Sequence, residues 1–316
     1  MVLARAHSEG EWVARLGEER KPAALAIGNF DGLHIGHQKI LRRALERARG
    51  ENLLAAVLTF YPHPTRVLRP AEASPLLMTL PQRLAAIEAA GLDAALVVHF
   101  DAEFALISPE KFVSHFLVET MRARAVVVGV NFRFGHRQSG DAQLLAELGR
   151  RSGISVEMIQ PVIADGVIVS STAIRNALRA GNAQEAARML GKPFALAGEI
   201  GSGTGLGGKL VVPTLNLRTE QELLPANGVY ATEVAIASTL YRAATNVGMR
   251  PTFDGTRITI ESHLLDFNGR LTKGAMEVRF LARLRDERKF STPEALRQQV
   301  LADIEEARQF FAARKS

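Results

Sequence analysis

The run Gly28-Asn29-Phe30-Asp31-Gly32-Leu33-His34-Ile35-Gly36-His37 decides how the first half of the chain is read. It follows the apolar segment Ala23–Ile27 and opens the helical pattern Gln38–Arg49, so strand, glycine-rich turn and helix come in succession. A helix N-terminus presents unpaired N–H groups and partial positive charge, and anions settle there. Glycines at 28, 32 and 36 let the backbone approach a ligand closely or take a positive φ. Two imidazoles beside such a cradle can hydrogen-bond phosphate oxygens while charge moves in a reaction. Together these residue types point to handling of a nucleoside triphosphate. Either histidine alone reads more simply as structural. A zinc site on His34 and His37 is disfavoured because no third ligand is spaced to join them.

Outward from that run, short apolar segments alternate with helical patterns to about residue 160. Strands are expected at Ala23–Ile27, Leu53–Phe60, Ala94–Phe100, Ala125–Val130 and Ile154–Ile159. Thr79 with Pro81 starts one helix that ends near Gly91, and Ser108-Pro109-Glu110 starts another that runs to Met121. Asp141 is a cap for a third. This alternation predicts βαβ units and a mostly parallel, doubly wound sheet, whose ligands lie beyond the carboxyl ends of the strands. Two further segments fall on that rim. Asn131 and Arg133 directly follow an apolar strand, where loops carry function. Ser170, Ser171 and Thr172 lead into a helix closed by Gly181; taken alone, they read as caps. Arg175, one turn in, either turns back toward a triphosphate or is solvated.

Composition narrows the class. The 316 residues are enough for two domains, and 47% hydrophobic with 23% charged residues is ordinary for a globular protein. No apolar run is long enough to span a bilayer. The absence of cysteine excludes disulfides and a thiol nucleophile and fits the cytoplasm. A net charge of +6 suits anionic partners, but acidic and basic residues alternate and aromatics make up only 6%, which disfavours a nucleic-acid groove.

The architecture changes after Gly191-Lys192-Pro193, once Asn182 has capped a short helix ending at Leu190. Strands are expected at Phe194–Ile200, Leu210–Leu217, Gly228–Ile236, Leu240–Val247, Arg257–Asp266 and Ala275–Phe280, a spacing that suggests a small antiparallel barrel. Ser291-Thr292-Pro293-Glu294 then starts a terminal helix with Leu296, Val300, Ile304, Ala307 and Phe311 as its buried stripe. Gly203, Gly205 and Gly208 spell GxGxxG, and Gly203 with Gly208-Lys209 nearly spells a phosphate-binding P-loop. Both patterns need a helix next; a strand with Pro213 follows, so both are rejected.

The segment 28–37 resembles the HxGH signature of the nucleotidyltransferase superfamily. With TFYPHP at 59–64, VVGVNFRFG at 127–135 plus Gly140-Asp141, and SSTAIR at 170–175, it resembles the bacterial bifunctional riboflavin kinase/FMN adenylyltransferase (FAD synthetase) family. The second half is similar to the kinase module of that family through PTLN at 213–216, LP at 224–225 with GVY at 228–230, NVGMRPTF at 246–253, ESHLLDF at 261–267 and LRDE at 284–287 with Lys289-Phe290.

The resemblance implies an α/β plus β fold. A Rossmann-like doubly wound nucleotidyltransferase domain is expected over 1–190, and a small antiparallel β-barrel with a terminal helix, the kinase, over 191–316. It implies ATP and Mg²⁺, with riboflavin converted to FMN and FMN to FAD, and neither nucleic acid nor membrane as partner. By resemblance His34 and His37 stabilise phosphate charge. Gly28, Asn29, Phe30, Asp31, Gly32, Asn131, Arg133, Ser170, Ser171, Thr172 and Arg175 bind nucleotide or flavin. Glu261 is the general base of the kinase, Thr214 and Asn216 hold Mg²⁺ and phosphate oxygens, and Arg250 and Arg285 contact nucleotide or flavin. Where the family commonly reads G-R-x-L-G-[FY]-P-T-A-N, this chain has Gly207-Gly208-Lys209-Leu210-Val211-Val212 before Pro213. That departure supports the alternative of an adenylyltransferase whose barrel is a flavin-binding regulatory module with weak or no kinase activity.

Overall fold

Strand β2 (Ala23–Ile27) is buried along its whole length, and its alternate residues face two different apolar layers. Ala23, Leu25 and Ile27 join Trp12, Phe60, Phe112, Phe116 and Val126, whereas Ala24 and Ala26 join Phe30, Leu41, Val57, Ile87 and Val127. A strand covered on both faces belongs inside a parallel sheet with helices on either side. Each fully buried leucine or isoleucine there contributes roughly 2 kcal/mol of burial free energy. The structure, a computed structural model, describes residues 4–17, 19–201, 212–252, 255–267, 269 and 271–314.

Among those residues the chain forms two compact units, Met1–Val169 and Ser170–Ser316. In the first, β1 (Ala4–Ala6), β2, β3 (Leu54–Tyr61), β4 (Ala94–His99) and β5 (Ala123–Gly129) pair in parallel. Two short hairpin strands, β6 (Arg133–Phe134) and β7 (Gly140–Asp141), precede β8 (Ser155–Ile159), which adds in parallel beside β5. The spatial order is β1-β4-β3-β2-β5-β8. β1 was absent from the expected strands; three residues at a sheet edge carry too little periodicity to read. A further small hairpin, β9 (Ile163–Ala164) with β10 (Val167–Ile168), ends this unit.

Helices α1 (Glu9–Leu16), α2 (Ile35–Gly50), α3 (Pro64–Leu68), α4 (Leu80–Ala89), α5 (Pro109–Lys111) and α6 (Ala142–Arg151) link these strands. The expected caps are in place: Thr79 forms a capping box with Gln82, Ser108 accepts from Lys111 N, and Asp141 accepts from Leu144 N. The helix that Ser108 opens winds on as a π-helix over Phe112–Thr120, a local change of pitch that apolar spacing does not announce.

The second unit begins with α7 (Ser171–Arg179) and α8 (Ala183–Leu190), which pack on each other; α8 also packs on the barrel strands that follow. The barrel itself closes as β11 (Phe194–Gly201), β12 (Leu215–Arg218), β15 (Gly255–Leu264), β14 (Thr239–Thr252), β13 (Gly228–Ile236) and β16 (Ala275–Asp286), all antiparallel. Inside it, Thr232, Thr245 and Ser262 form a buried hydroxyl chain of 2.6 and 2.8 Å. The expected strand Leu210–Leu217 is corrected: residues 212–214 are irregular, Pro213 having no N–H for a ladder, and 210–211 lie outside the described residues.

Terminal helix α9 (Pro293–Ala313) packs Ile304, Ala307 and Phe311 against Ala231, Ala244 and Leu281 of the barrel. Leu296, expected in that stripe, is exposed. The helix is pinned instead by buried Asp303, which accepts from Nε and Nη2 of Arg285 at 2.6 Å each.

Candidate functional sites

After β4 the chain crosses to the other side of β2 to form β5, so the winding direction reverses between β2 and β5. A crevice opens outside the carboxyl ends of strands at such a switch point. The 28–34 turn leaves β2 there, and the Asn131–Arg133 loop leaves β5.

The turn is held from below. Asp31 is buried, and its carboxylate accepts from Leu77 N at 3.0 Å and Met78 N at 3.3 Å. Gly32 has φ +82°, and any side chain there would begin 2.6 Å from Leu77 Cδ1, so only glycine fits. Phe30, wholly buried, sets its ring edge-on to His37 at 5.3 Å. Asp31 and Phe30, expected to bind ligand, are both buried within the turn.

His34 is the N-cap of α2, its Nδ1 accepting from His37 N at 3.3 Å. The neutral ring therefore carries its proton on Nε2, a donor left for a ligand. The His34 and His37 rings stack 3.6 Å apart at 18°. Gly36 leaves room for the ring, because a Cβ there would sit a close 3.1 Å from His34 Nδ1. The glycine of the HxGH spacing thus makes room for a ring. Burial holds His34 neutral down to about pH 4. His37 is held well below the ordinary histidine range by burial, then by the His34 ring and the Arg83 guanidinium. No acidic residue occupies the first turn of α2, so the positive end of the helix is not neutralised from within it.

This burial sets a pH dependence of stability. Unfolded imidazoles take up protons near pH 6.5, whereas folded His34 resists until about 4. Protonation therefore favours the unfolded chain: the contribution is complete above 6.5 and is lost as pH falls toward 4. At 1.36 kcal/mol per pKa unit, His34 alone contributes about 3 kcal/mol. His115, raised chiefly by its hydrogen bond to Glu119, acts in the opposite sense. The readout is accordingly the difference between wild type and His34→Asn, a variant that keeps a capping side chain. Urea denaturation at pH 7.5 and 4.5 should show a smaller acid loss in the variant; equal losses would contradict the burial account.

Asn131 is exposed at the end of β5, and its Oδ1 lies 2.8 Å from where a side chain on Gly129 would begin. Arg133 is exposed and pairs with Asp141 at 3.2 Å. In the second unit Ser170 caps α7 by accepting from Ala173 N at 3.1 Å. Ser171 and Thr172 form its first turn, and Arg175 is buried rather than solvated. The HP of the 59–64 segment supplies another cap, His63 Nδ1 accepting from Thr65 N.

The barrel carries a separate polar face. On β15, Ile260, Ser262 and Leu264 point inward, so Thr259, Glu261 and His263 share the outer side. Asn216 stands opposite Glu261 on one side and Asn246 on the other, giving one row across three strands. His263 Nδ1 donates to Pro213 O at 2.9 Å, fastening the Pro213-Thr214 segment beside that row. Arg285, expected to contact nucleotide or flavin, is engaged by Asp303. The Arg250 side chain and residues 207–211 lie outside the described ones.

Two residues went unread in the sequence. Asn246 stands in the NVGMRPTF segment, and its place beside Glu261 follows only from the barrel pairing. Arg83 occupies the apolar stripe of α4 with Leu84 and Ile87 and is wholly buried. A charged residue on such a stripe was the available signal.

Comparison with known proteins matches each half of the chain to a family model. A family model for FAD synthetase matches residues 16–173, and one for riboflavin kinase matches 190–311. The bifunctional riboflavin kinase/FMN adenylyltransferase of Pseudomonas fluorescens is 37% identical over 94% of this chain and 96% of its own. The protein of that name from Escherichia coli K12 is 36% identical over 92% and 93%. A crystal structure from Streptococcus pneumoniae, described as a macrolide-efflux protein, superposes with TM-score 0.85 at 29% identity, covering 98% of this chain and 99% of that one. Among the described residues no helix is long and apolar enough to cross a membrane. The riboflavin kinase match over the barrel favours an active kinase above a purely regulatory module. The chain therefore belongs to the bifunctional riboflavin kinase/FMN adenylyltransferase family, using ATP first to phosphorylate riboflavin to FMN and then to adenylylate FMN to FAD.

Proposed function

We propose that the two reactions are carried by the two polar faces, with residues 1–190 as the adenylyltransferase domain and 191–316 as the kinase domain. The stacked, neutral imidazoles at the switch-point end of α2 support the first assignment. There an FMN phosphate oxygen attacks the α-phosphorus of ATP, and the bond to pyrophosphate breaks. The enzyme positions the reactants and offsets the negative charge that spreads over the transferring group. His34 and His37 donate to that group. Backbone from Gly28 to Gly32, with the Asn29 side chain, lines the nucleotide. Asn131 and Arg133 hold nucleotide or flavin phosphate, and by the family resemblance Ser170, Ser171, Thr172 and Arg175 bind nucleotide or flavin.

In the kinase the primary alcohol of riboflavin attacks the γ-phosphorus of ATP, ADP leaves, and the alcohol proton passes to the Glu261 carboxylate. Thr214 and Asn216 supply hard oxygen donors beside that carboxylate. Among the described residues no group of three or more acidic, histidine or cysteine side chains forms a metal cage. A small set of oxygen donors fits Mg²⁺ carried largely by the nucleotide. Bound there, Mg²⁺ would neutralise phosphate charge. A cytoplasmic location fits the cysteine-free sequence.

Incubation with riboflavin, ATP and Mg²⁺, with the flavins resolved over time, tests this reading. FMN should rise first and FAD follow, and chelation of Mg²⁺ should stop FMN formation. FAD formed only from added FMN would overturn the kinase assignment.

A further inference from the structure

The Arg83 guanidinium is 0% exposed, an uncommon place for a charge. Its Nη1 donates to Phe60 O at 3.1 Å and to Thr59 Oγ1 at 3.4 Å, while Nε and Nη2 have no hydrogen-bond partner. Thr59 in turn donates to Asn29 O at 3.4 Å, tying the arginine to the 28–37 turn. Buried donors left unmade cost free energy, and each such exception in a native structure calls for an explanation. Asp31 is the acidic group whose field reaches Arg83, but that carboxylate is engaged with Leu77 N and Met78 N. The Arg83 charge is thus only partly offset from within.

We propose that Arg83 is a positioning residue for adenylyl transfer: its buried positive charge, linked to the 28–37 turn through Thr59, favours polyphosphate on that rim without touching it. In a poorly screened interior a fixed charge acts over several ångströms and needs no reorganisation when charge develops. The groups in its field are Asp31, Tyr61 and His37, with His34 stacked on the last. The same charge disfavours a proton on His37, keeping that ring a neutral donor in the ligand-free protein. This proposal rests on the assignment of His34 and His37 to adenylyl transfer.

Arg83→Met removes the charge and keeps much of the volume; Arg83→Lys keeps the charge. Should methionine fail to fold by circular dichroism and thermal melting, Arg83→Gln replaces it, since glutamine still donates to Phe60 O. The neutral variant should form FAD from supplied FMN about 10- to 100-fold more slowly, with a raised KM for ATP, and lysine should restore most of the rate. In ligand-free protein, NMR titration of the His37 ring should move upward in the neutral variant and stay in place in the lysine variant. An unmoved His37 titration, or a rate loss that lysine does not rescue, would mean Arg83 is only packing and would overturn the proposal. His37→Ala is assayed alongside. If it loses FAD formation while the neutral Arg83 variant does not, the proposal alone fails. If His37→Ala stays fully active, the site assignment fails and takes the proposal with it.

Discussion

His37→Ala should form FAD from supplied FMN and ATP about 10²- to 10³-fold more slowly than wild type, while phosphorylation of riboflavin is unchanged. The expectation comes from what the ring does in the fold and what it does not do. It stacks on His34 and meets the edge of Phe30, but the cap of α2 is made by His34. Alanine at 37 keeps the backbone N–H that His34 accepts, so the helix start survives the change. What is lost, on the proposed assignment, is a pre-positioned donor where phosphate charge develops. Such a loss appears in kcat and kcat/KM together. Rapid-mixing assay of FAD, with the kinase step measured on the same preparation, reads both halves. An undiminished rate would remove His37 from the mechanism.

Glu261→Gln should lower FMN formation by about 10²- to 10⁴-fold and spare conversion of added FMN to FAD. Glutamine matches the carboxylate in size and keeps its place between Asn216 and Asn246, so the strand register is undisturbed. It cannot take the alcohol proton, which is the role proposed for this position. Loss of both activities would show that the two reactions are not separable by face. Survival of FMN formation would send the search for the base elsewhere on the barrel.

Much of this was legible in the chain because the informative signals are local. Ala23–Ile27 is bounded as expected, since an apolar run between turn residues leaves little freedom. Caps at Thr79, Ser108, Asp141, Ser170 and Asn182 appear where their side chains precede helical patterns. The less legible features depend on distant partners. Asp31 stands beside glycines in the sequence, and nothing local shows that its buried carboxylate holds Leu77 and Met78, some 46 residues on. Leu296 fits the apolar spacing of α9 but lies exposed, whereas the middle of the helix is secured by Arg285 and Asp303. Those two side chains meet only once the barrel has closed. Arg83 was hidden for the same reason: its meaning comes from β3 and the turn after β2, not from its own helix. The strand β14 runs to Thr252, past the point where alternation fades, because β15 pairs with it to the end of the hairpin.

The most direct measurement is a crystal structure of the protein with a non-hydrolysable ATP analogue and FMN. The account predicts a triphosphate lying along the start of α2, with oxygens of the α- and β-phosphates within hydrogen-bond reach of the His34 and His37 rings. A nucleotide bound at the carboxyl end of no strand, with those two rings packed among side chains only, would contradict it.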